Sequence, residues 1–181
     1  ARYSQRLNFM TEIINVLHVL DVSFPIISGY SSRSKYIISN QIKMGLNPIV
    51  LTSPHQGNGK EIEYYDGLKY HRSSLSFSNL LTSITGFDEI LFVNAIKKRI
   101  LQIGQTEQVG IIHAHSPSLL GLAAICSAKR MDVKVVYEIR AFWEDAAVAS
   151  RKYSPQSPKY WLVRNLETYV CKHVDRVVTI S

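Results

Sequence analysis

The stretch that decides the fold runs from residue 111 to residue 139 and has the sequence IIHAHSPSLLGLAAICSAKRMDVKVVYEI. Its two ends, Ile111–Ala114 and Lys134–Tyr137, are short apolar runs that contain β-branched residues. Between them, Ser118–Arg130 has a helical period and places its basic residues last, where they suit the helix dipole. Strands that are apolar without alternation are typical of parallel strands covered on both faces. The stretch therefore predicts a strand, a crossover helix and a second, parallel strand.

The same alternation continues on both sides of this unit. Apolar runs at Ile13–Leu20, Pro48–Thr52 and Arg176–Ile180 predict further strands, and Ser32–Met44 and Pro158–His173 have the period of helices. Strands and helices that alternate in this way predict an α/β fold. We expect a Rossmann-like, open and mostly parallel sheet with helices on both faces.

One segment departs from the alternation. Ile62–Arg72 places Asp66 and Gly67 between two tyrosine-containing runs, which is a strong β-hairpin signal. Residues 87–103 then predict an amphipathic helix. We therefore expect a short hairpin insertion before the second half of the sheet.

The composition limits the class of protein. The chain has 181 residues, of which 46% are apolar and 19% charged, so one ordinary domain is expected and wholesale disorder is excluded. Only Cys126 and Cys171 are present, which excludes a disulfide-stapled scaffold and favours reduced thiols. No leader sequence precedes the first strand, which favours a cytoplasmic protein. Because the chain starts at Ala1 and ends at Ser181 with a strand, we expect residues 1–181 to be one domain of a longer polypeptide.

The junction between the first strand and its helix contains Gly29, Tyr30, Ser31 and Arg33. A glycine before a helix lets backbone N–H groups approach an anion, and the helix dipole favours phosphate there. Arg33 could pair with a phosphate, while the serines could simply cap the helix. The isolated glycine excludes a dinucleotide fingerprint. An anion site and an ordinary capped helix both remain open.

Two histidines follow one another at alternate positions near the end of a predicted strand. Because strand residues two apart share a face, His113 and His115 should lie together at the edge where a ligand crevice forms. Neither cysteine spacing nor a carboxylate pair supplies the further ligands of a zinc site, so no metal is predicted. We expect His113 to be structural and His115 to contact a substrate.

The next strand ends in a cluster of polar and large residues. Glu138, Arg140 and Trp143 are followed by Glu144 and Asp145, and such residues are costly to bury or bulky. The cluster suits hydrogen bonding and stacking to a polyhydroxylated ligand. A salt-bridged loop is the alternative, with function favoured for Glu138 and Arg140.

Taken together, these motifs resemble a known family. The ordered segments are HVLD…SGYSSRS, LTSP, DGLKYHR, IIHAHSP, VVYEIRAFWEDAAV and ETYVCKHVDRVVTIS. They resemble the amino-terminal domain of family 4 glycosyltransferases, retaining enzymes of the two-Rossmann-domain (GT-B) type. The SGYSSRS and AFWEDA segments resemble in particular the branch associated with bacterial exopolysaccharide and exosortase clusters. The resemblance runs from about Ile13 to Ser181.

The resemblance implies a function and roles for the singled-out residues. Such a domain chiefly binds the acceptor, a glycan or a polyprenyl-linked sugar, while a carboxyl-terminal domain that this chain lacks holds the nucleotide-sugar. Gly29, Tyr30, Ser31 and Arg33 would approach the donor diphosphate or the transferred sugar. His115 would lie beside the reacting sugar as the catalytic residue, a hydrogen-bond partner more than a nucleophile. His113, Glu138, Arg140 and Trp143 would line the acceptor pocket. Catalysis would need no cofactor and no metal, and the fragment alone would be inactive.

The charge distribution adds one further expectation. The formal charge is +7, of which residues 1–90 hold +1 and residues 91–181 hold +6. The apolar part of the predicted 87–103 helix ends in three basic residues, Lys97, Lys98 and Arg99. We therefore hypothesise that residues 87–99 hold the protein peripherally on the anionic inner face of the plasma membrane. No nucleic-acid motif is present. A stand-alone module that binds an anion or a nucleic acid is the remaining alternative.

Overall fold

The structure is a computed structural model, and it describes residues 13–57, 59–74, 87–142, 145, 148, 149 and 154–180. The strands are β1 (Asn15–Leu20), β2 (Asn47–Thr52), β3 (Ile62–Tyr65), β4 (Leu68–Arg72), β5 (Ile111–His115), β6 (Lys134–Ile139) and β7 (Arg176–Thr179). The helices whose bounds lie within the described residues are α1 (Gly29–Lys43), α2 (Phe87–Glu107), α3 (Ser118–Met131) and α4 (Pro158–His173). A 3₁₀ turn covers Pro54–Gln56.

The strands form one sheet in the order β3-β4-β2-β1-β5-β6-β7. Every neighbouring pair is parallel except β3 and β4, which form the expected antiparallel hairpin. Asp66 and Gly67 turn this hairpin with φ of 51° and 77°, a conformation that favours the Asp-Gly pair. The predicted α/β class and the hairpin insertion are both confirmed.

Helices cover both faces of the sheet. On one face α2, α3 and α4 bury a large apolar cluster that includes Leu17, Ile100, Leu120, Tyr137 and Val170. On the other face α1 packs over a smaller cluster. Its buried members are Leu20, Ile38, Val50 and Tyr70. The near-continuous apolar character of the strands follows from burial on both sides.

Two helix ends differ from the sequence-based expectation. α1 begins at Gly29 instead of residue 32, because Ser28 and Ser31 form a capping box that starts the helix earlier. α2 continues to Glu107 instead of ending at residue 103. Gly104 lies within α2, and the end of the Met131 side chain occupies the place that a Cβ on Gly104 would take.

The apolar side of α2 is part of the protein core. Phe92 and Ile96 are buried beneath the sheet, and Ile90 is the exposed large apolar residue of this region. Arg99 is ion-paired with Glu61. Membrane binding by residues 87–99 would require an exposed apolar face. The apolar side of α2 is instead buried in the core, so this helix does not provide the membrane-binding surface expected from the sequence. Among the described helices, none is long and apolar enough to cross a bilayer.

Candidate functional site

The residues singled out in the sequence meet at the carboxyl ends of β5 and β6, beside the start of α1. In the register of the sheet, His113 of β5 lies opposite His18 of β1, and His115 lies opposite Glu138 of β6. Residues at matching register on neighbouring strands project from the same face. Their side chains therefore point towards the face that α1 covers, where Arg33 and Arg140 join them.

The first turn of α1 is capped by the chain itself but keeps two backbone donors available. The N–H of Ser31 donates to Oγ of Ser28, and the N–H of Ser28 donates to Oγ of Ser31. Ser31 is thus a capping residue. The N–H groups of Gly29 and Tyr30 have no acceptor among the described residues. Nothing lies within 4 Å of the place where a Cβ on Gly29 would be, so an anion can approach these donors.

Glu138 is the centre of the cluster. It is 1% exposed, its Oε1 accepts a hydrogen bond from Nε of Arg33 at 2.7 Å, and its Oε2 lies 3.2 Å from Nδ1 of His115. Burial alone would raise the pKa of Glu138, but the imidazole of His113 and the guanidinium of Arg33 hold that pKa well below its usual range. The carboxylate is therefore charged at neutral pH and fixes the guanidinium of Arg33.

Arg140 is bound to protein groups on several sides. Its Nη1 donates to the carbonyl oxygen of Tyr30 and to Oγ of Ser34, both at 2.8 Å, and its Nη2 lies 2.7 Å from Nδ1 of His115. The guanidinium also lies over the ring of Tyr30, 4.2 Å from its centroid. Arg140 therefore braces α1 against β6 and is almost fully buried. A direct contact of Arg140 with a substrate would require these bonds to exchange.

His115 belongs to a buried chain of hydrogen bonds. Arg140 can only donate, so Nδ1 of His115 is the acceptor and its Nε2 carries the proton. That Nε2–H donates to Nδ1 of His18 at 3.1 Å, and Nε2–H of His18 donates to Oε1 of Gln41 at 2.7 Å. Burial lowers the pKa of His18 to about 3 and lowers that of His115 well below its usual value. Both imidazoles are therefore neutral.

This burial changes the role expected for His115. Its exposed fraction is 0%, and both ring nitrogens are bonded within the chain, so His115 does not face a ligand in this structure. His113 is the more exposed of the two, and its ring stacks on His115 at a centroid distance of 4.2 Å. Strand position had predicted a substrate contact for His115 and a structural role for His113, whereas the family resemblance placed His113 in the acceptor pocket. The burial of His115 contradicts its predicted contact, and the partial exposure of His113 is compatible with the acceptor pocket.

The cluster contains a third imidazole that the sequence interpretation missed. One ring nitrogen from each of His18, His113 and His115 lies within 4.8 Å of the others, so the set could hold a metal ion geometrically. One feature of the sequence could have placed His18 in the cluster: it lies two residues before the end of β1, just as His113 lies two residues before the end of β5. However, Arg140 lies against His115, and a buried guanidinium repels a divalent cation. A metal-free site therefore remains the prediction.

Arg33 is the charged part of the cluster that faces solvent. Its side chain is 43% exposed, and Glu138 binds only its Nε. The two terminal amino groups have no hydrogen-bond partner among the residues that the structure describes. Arg33 belongs to the second turn of α1, and the open N–H groups of Gly29 and Tyr30 belong to its first turn. The exposed part of the site thus combines a planar donor with the amino terminus of the same helix, which suits an anion with several oxygens.

The last predicted contact cannot be placed. Trp143 and Glu144 lie outside the described residues. Asp145 is described, and its Oδ1 accepts a hydrogen bond from the hydroxyl of Tyr160 at 3.1 Å.

Comparison with solved structures supports the fold. MurG from Acinetobacter baumannii matches over 92% of this chain and 41% of its own, with 8% sequence identity and a TM-score of 0.52, which shows a shared fold. A glycosyltransferase from Rickettsia africae matches over 70% of this chain and 30% of its own, with 20% identity and a TM-score of 0.44. The chain thus spans less than half the length of either protein. No curated protein sequence matches it.

Comparison with family models identifies the chain at the level of its domain. The model described as "Glycosyl transferase 4-like domain" matches residues 28–181, which include the α1 site, the histidine strand and the end of β6. This match confirms the resemblance to a family 4 glycosyltransferase domain but does not test the exopolysaccharide and exosortase branch. The Rossmann-like sheet is the one expected of a GT-B glycosyltransferase domain. The chain belongs to the glycosyl transferase 4-like family.

Proposed function

We propose that this chain is the acceptor-side domain of a retaining glycosyltransferase that moves a sugar from a nucleotide-sugar to a glycan or polyprenyl-linked acceptor in bacterial polysaccharide synthesis. The donor-binding domain would lie outside the chain, so the fragment alone would not transfer sugar. The family assignment and the partial span of the MurG match support this division.

One observation carries the proposal: the half-exposed guanidinium of Arg33 extends from the second turn of α1, and the first turn of the same helix keeps two backbone N–H donors open. When a sugar leaves a nucleotide-sugar, negative charge develops on the departing diphosphate. Donors and dipoles fixed in advance stabilise such charge without a metal ion. Arg33 and the N–H groups of Gly29 and Tyr30 are suited to this role.

The buried residues would support this surface. Glu138 holds Arg33 by its Nε, which leaves the terminal amino groups directed away from the carboxylate. Arg140 and the His115–His18 pair hold the strands that carry Glu138 against α1. His113, which is partly exposed, is the imidazole best placed to meet an acceptor hydroxyl.

The surface of α4 suits peripheral contact with an anionic membrane better than α2 does. Trp161 and Leu162 are 51% and 69% exposed, and Lys159 and Arg164 beside them are exposed as well. The Arg164 guanidinium lies 5.5 Å from the centroid of the Trp161 ring. Exposed aromatic and basic side chains on one helix favour the interface of an anionic bilayer. We propose this helix as the contact with the inner face of the plasma membrane.

Titration with inorganic pyrophosphate tests the anion site in the chain itself. In ¹⁵N-labelled protein we expect the amide signals of Gly29 and Tyr30 to shift, and Arg33→Met to weaken binding by roughly tenfold through loss of a charge-assisted pair. Arg164→Met removes a similar exposed charge on α4 and should leave binding unchanged. Equal effects of the two variants would contradict the site.

The coding sequence after Ser181 tests the division into two domains. A second α/β half there would support the proposal, and a stop codon directly after Ser181 would contradict it. A stand-alone binding module predicts pyrophosphate binding without any such second half.

A further inference from the structure

A groove runs along the outer side of α1, away from the His–Glu–Arg cluster. Its volume is about 660 Å³, and it is lined by Phe24 of the loop after β1 and by side chains of α1. The α1 residues recur at helical spacing, from Ser32 through Tyr36 and Ser39 to Lys43. The groove thus follows one face of a single rigid helix.

The groove starts beside the anion site and leads away from it. Ser32 adjoins Arg33 in the first turns of α1, and Lys43 is the last residue of the helix. At a rise of 1.5 Å per residue, the distance along the axis from Ser32 to Lys43 is roughly 16 Å. A groove of this length suits a chain of several sugar units better than a single small molecule.

The lining combines aromatic rings with hydroxyl and amide groups. The Tyr36 side chain is 73% exposed, so its ring is available for stacking. The ammonium group of Lys35 lies over the ring of Phe24, 4.6 Å from the ring centroid. Ser32, Ser39 and Asn40 contribute polar groups. Aromatic faces next to short polar side chains match sugar rings, which have apolar faces and hydroxyl edges.

The charge of the lining indicates which sugars would bind. Its charged side chains are Lys35 and Lys43, and no carboxylate lines the described groove. Lys35 forms an ion pair with Asp66 at the rim, whereas Lys43 has no ion pair within the described part of the chain. Lys43 also stands at the carboxyl end of α1, where the dipole holds a cation in place. An acidic sugar would meet this lysine at the far end.

We infer that the α1 groove binds an anionic glycan, with sugar rings against Tyr36 and an acidic group on Lys43. The inference rests on the proposed acceptor role of this domain and gives that acceptor a chemical class and a direction. The growing end of the glycan lies at Arg33 and the chain extends along α1.

Binding of defined oligosaccharides to the 181-residue chain tests the groove. The probe is an oligogalacturonate, compared with a neutral cello-oligosaccharide of equal length and with inorganic polyphosphate. We expect the oligogalacturonate to bind most tightly, and Tyr36→Ala and Lys43→Gln to weaken it about fivefold each. Tyr64→Ala and Lys172→Gln are matched controls, since Tyr64 is 69% exposed and Lys172 is also in the last turn of its helix.

Each other outcome contradicts the inference. Absence of oligogalacturonate binding, equal binding of polyphosphate, or equal weakening by the control variants would overturn it. Equal binding of the neutral oligosaccharide would overturn the acidic specificity. None of these results bears on Arg33, whose pyrophosphate titration is a separate measurement.

Discussion

Nε2 of His115 lies 3.1 Å from Nδ1 of His18, although the two residues are 97 positions apart in the sequence. The bond continues to Gln41 on α1 at one end and to Arg140 at the other. It therefore joins β1, β5 and the loop after β6 to α1 through one buried line of donors and acceptors. Because His18 and His115 in the middle of the line are fully buried, loss of one of them leaves the other without a partner.

Replacement of His18 tests this line. His18→Leu removes the acceptor of the His115 N–H and should lower the free energy of unfolding by about 1–3 kcal/mol. His18→Asn offers an amide oxygen near the position of Nδ1 and should cost less. Urea denaturation at pH 7 measures both, with His173→Leu on the exposed end of α4 as control. Equal stability of the Leu and Asn variants would contradict the bond.

The pH dependence of stability should follow from the same histidines. Burial lowers the pKa of folded His18 to about 3, against 6.5 when unfolded, so the unfolded chain binds the proton first as the pH falls. This contribution to stability is complete above pH 6.5 and is lost below it, by about 1.4 kcal/mol per pH unit. His115 acts in the same direction.

Denaturation at pH 7, 6 and 5 measures this slope. His18→Asn should make the slope shallower by close to one proton, because Asn does not titrate. The pKa of Glu138, held low in the folded state, adds a loss only as the pH falls below about 4.5. A slope above pH 5 that is unchanged in His18→Asn would show that His18 is not the group that titrates.

Removal of the charge on Glu138 should be more costly than removal of an exposed carboxylate. Glu138→Gln leaves the guanidinium groups of Arg140 and Arg33 without their anion, and we expect a loss of about 3–5 kcal/mol. Glu107→Gln breaks a partly exposed pair with Lys69 and should cost about 1 kcal/mol or less. Urea denaturation at pH 7 distinguishes the two, and a small effect of Glu138→Gln would contradict the central role of its carboxylate.

Much of the fold could be predicted because strands that are buried on both faces are apolar at nearly every position, and this pattern is visible in the sequence. The strand Lys134–Ile139 and the helix Pro158–His173 were located from apolar runs and helical period, and the Asp66-Gly67 pair located the hairpin. The meeting of His113, His115 and Glu138 at one edge followed from the rule that parallel strands end together.

The partners of those residues could not be predicted in the same way. His18 entered the cluster through the register of β1 against β5, which depends on the whole sheet. Helical period indicated that α2 has an apolar face but not what covers it, and Phe92 and Ile96 proved to be core residues. The burial of His115 depends on α1 and Arg140 closing over it, and both are distant in the sequence.

Two glycines in helices should respond differently to alanine. A Cβ on Gly121 of α3 would lie 2.5 Å from Cγ1 of Val170 and 3.0 Å from the ring of Tyr137, and this crowding should cost about 1–3 kcal/mol. At Gly104 of α2 the obstacle is the flexible end of Met131, which can move, so the gain in helix propensity should offset the crowding. Thermal or urea unfolding of both variants tests this, and an equal loss would contradict the tight contact of α3 with α4.

Membrane contact through α4 should be visible in the fluorescence of Trp161. The chain has two tryptophans, so Trp143→Phe leaves Trp161 as the only reporter. With vesicles of phosphatidylglycerol at low salt we expect a blue shift and co-sedimentation, since an exposed indole moves into a less polar interface. Leu162→Gln removes apolar area worth roughly 1.5–3 kcal/mol and should weaken binding tenfold or more.

Tyr64→Ser, on the hairpin at the opposite edge of the sheet, is the matched exposed control. Because Lys159 and Arg164 supply the attraction, vesicles of neutral phosphatidylcholine should bind more weakly. Equal binding to both lipids, or no binding to either, would exclude α4 as an anionic-membrane contact, and a concentration-dependent dimer that Leu162→Gln abolishes would assign its apolar surface to a second copy instead.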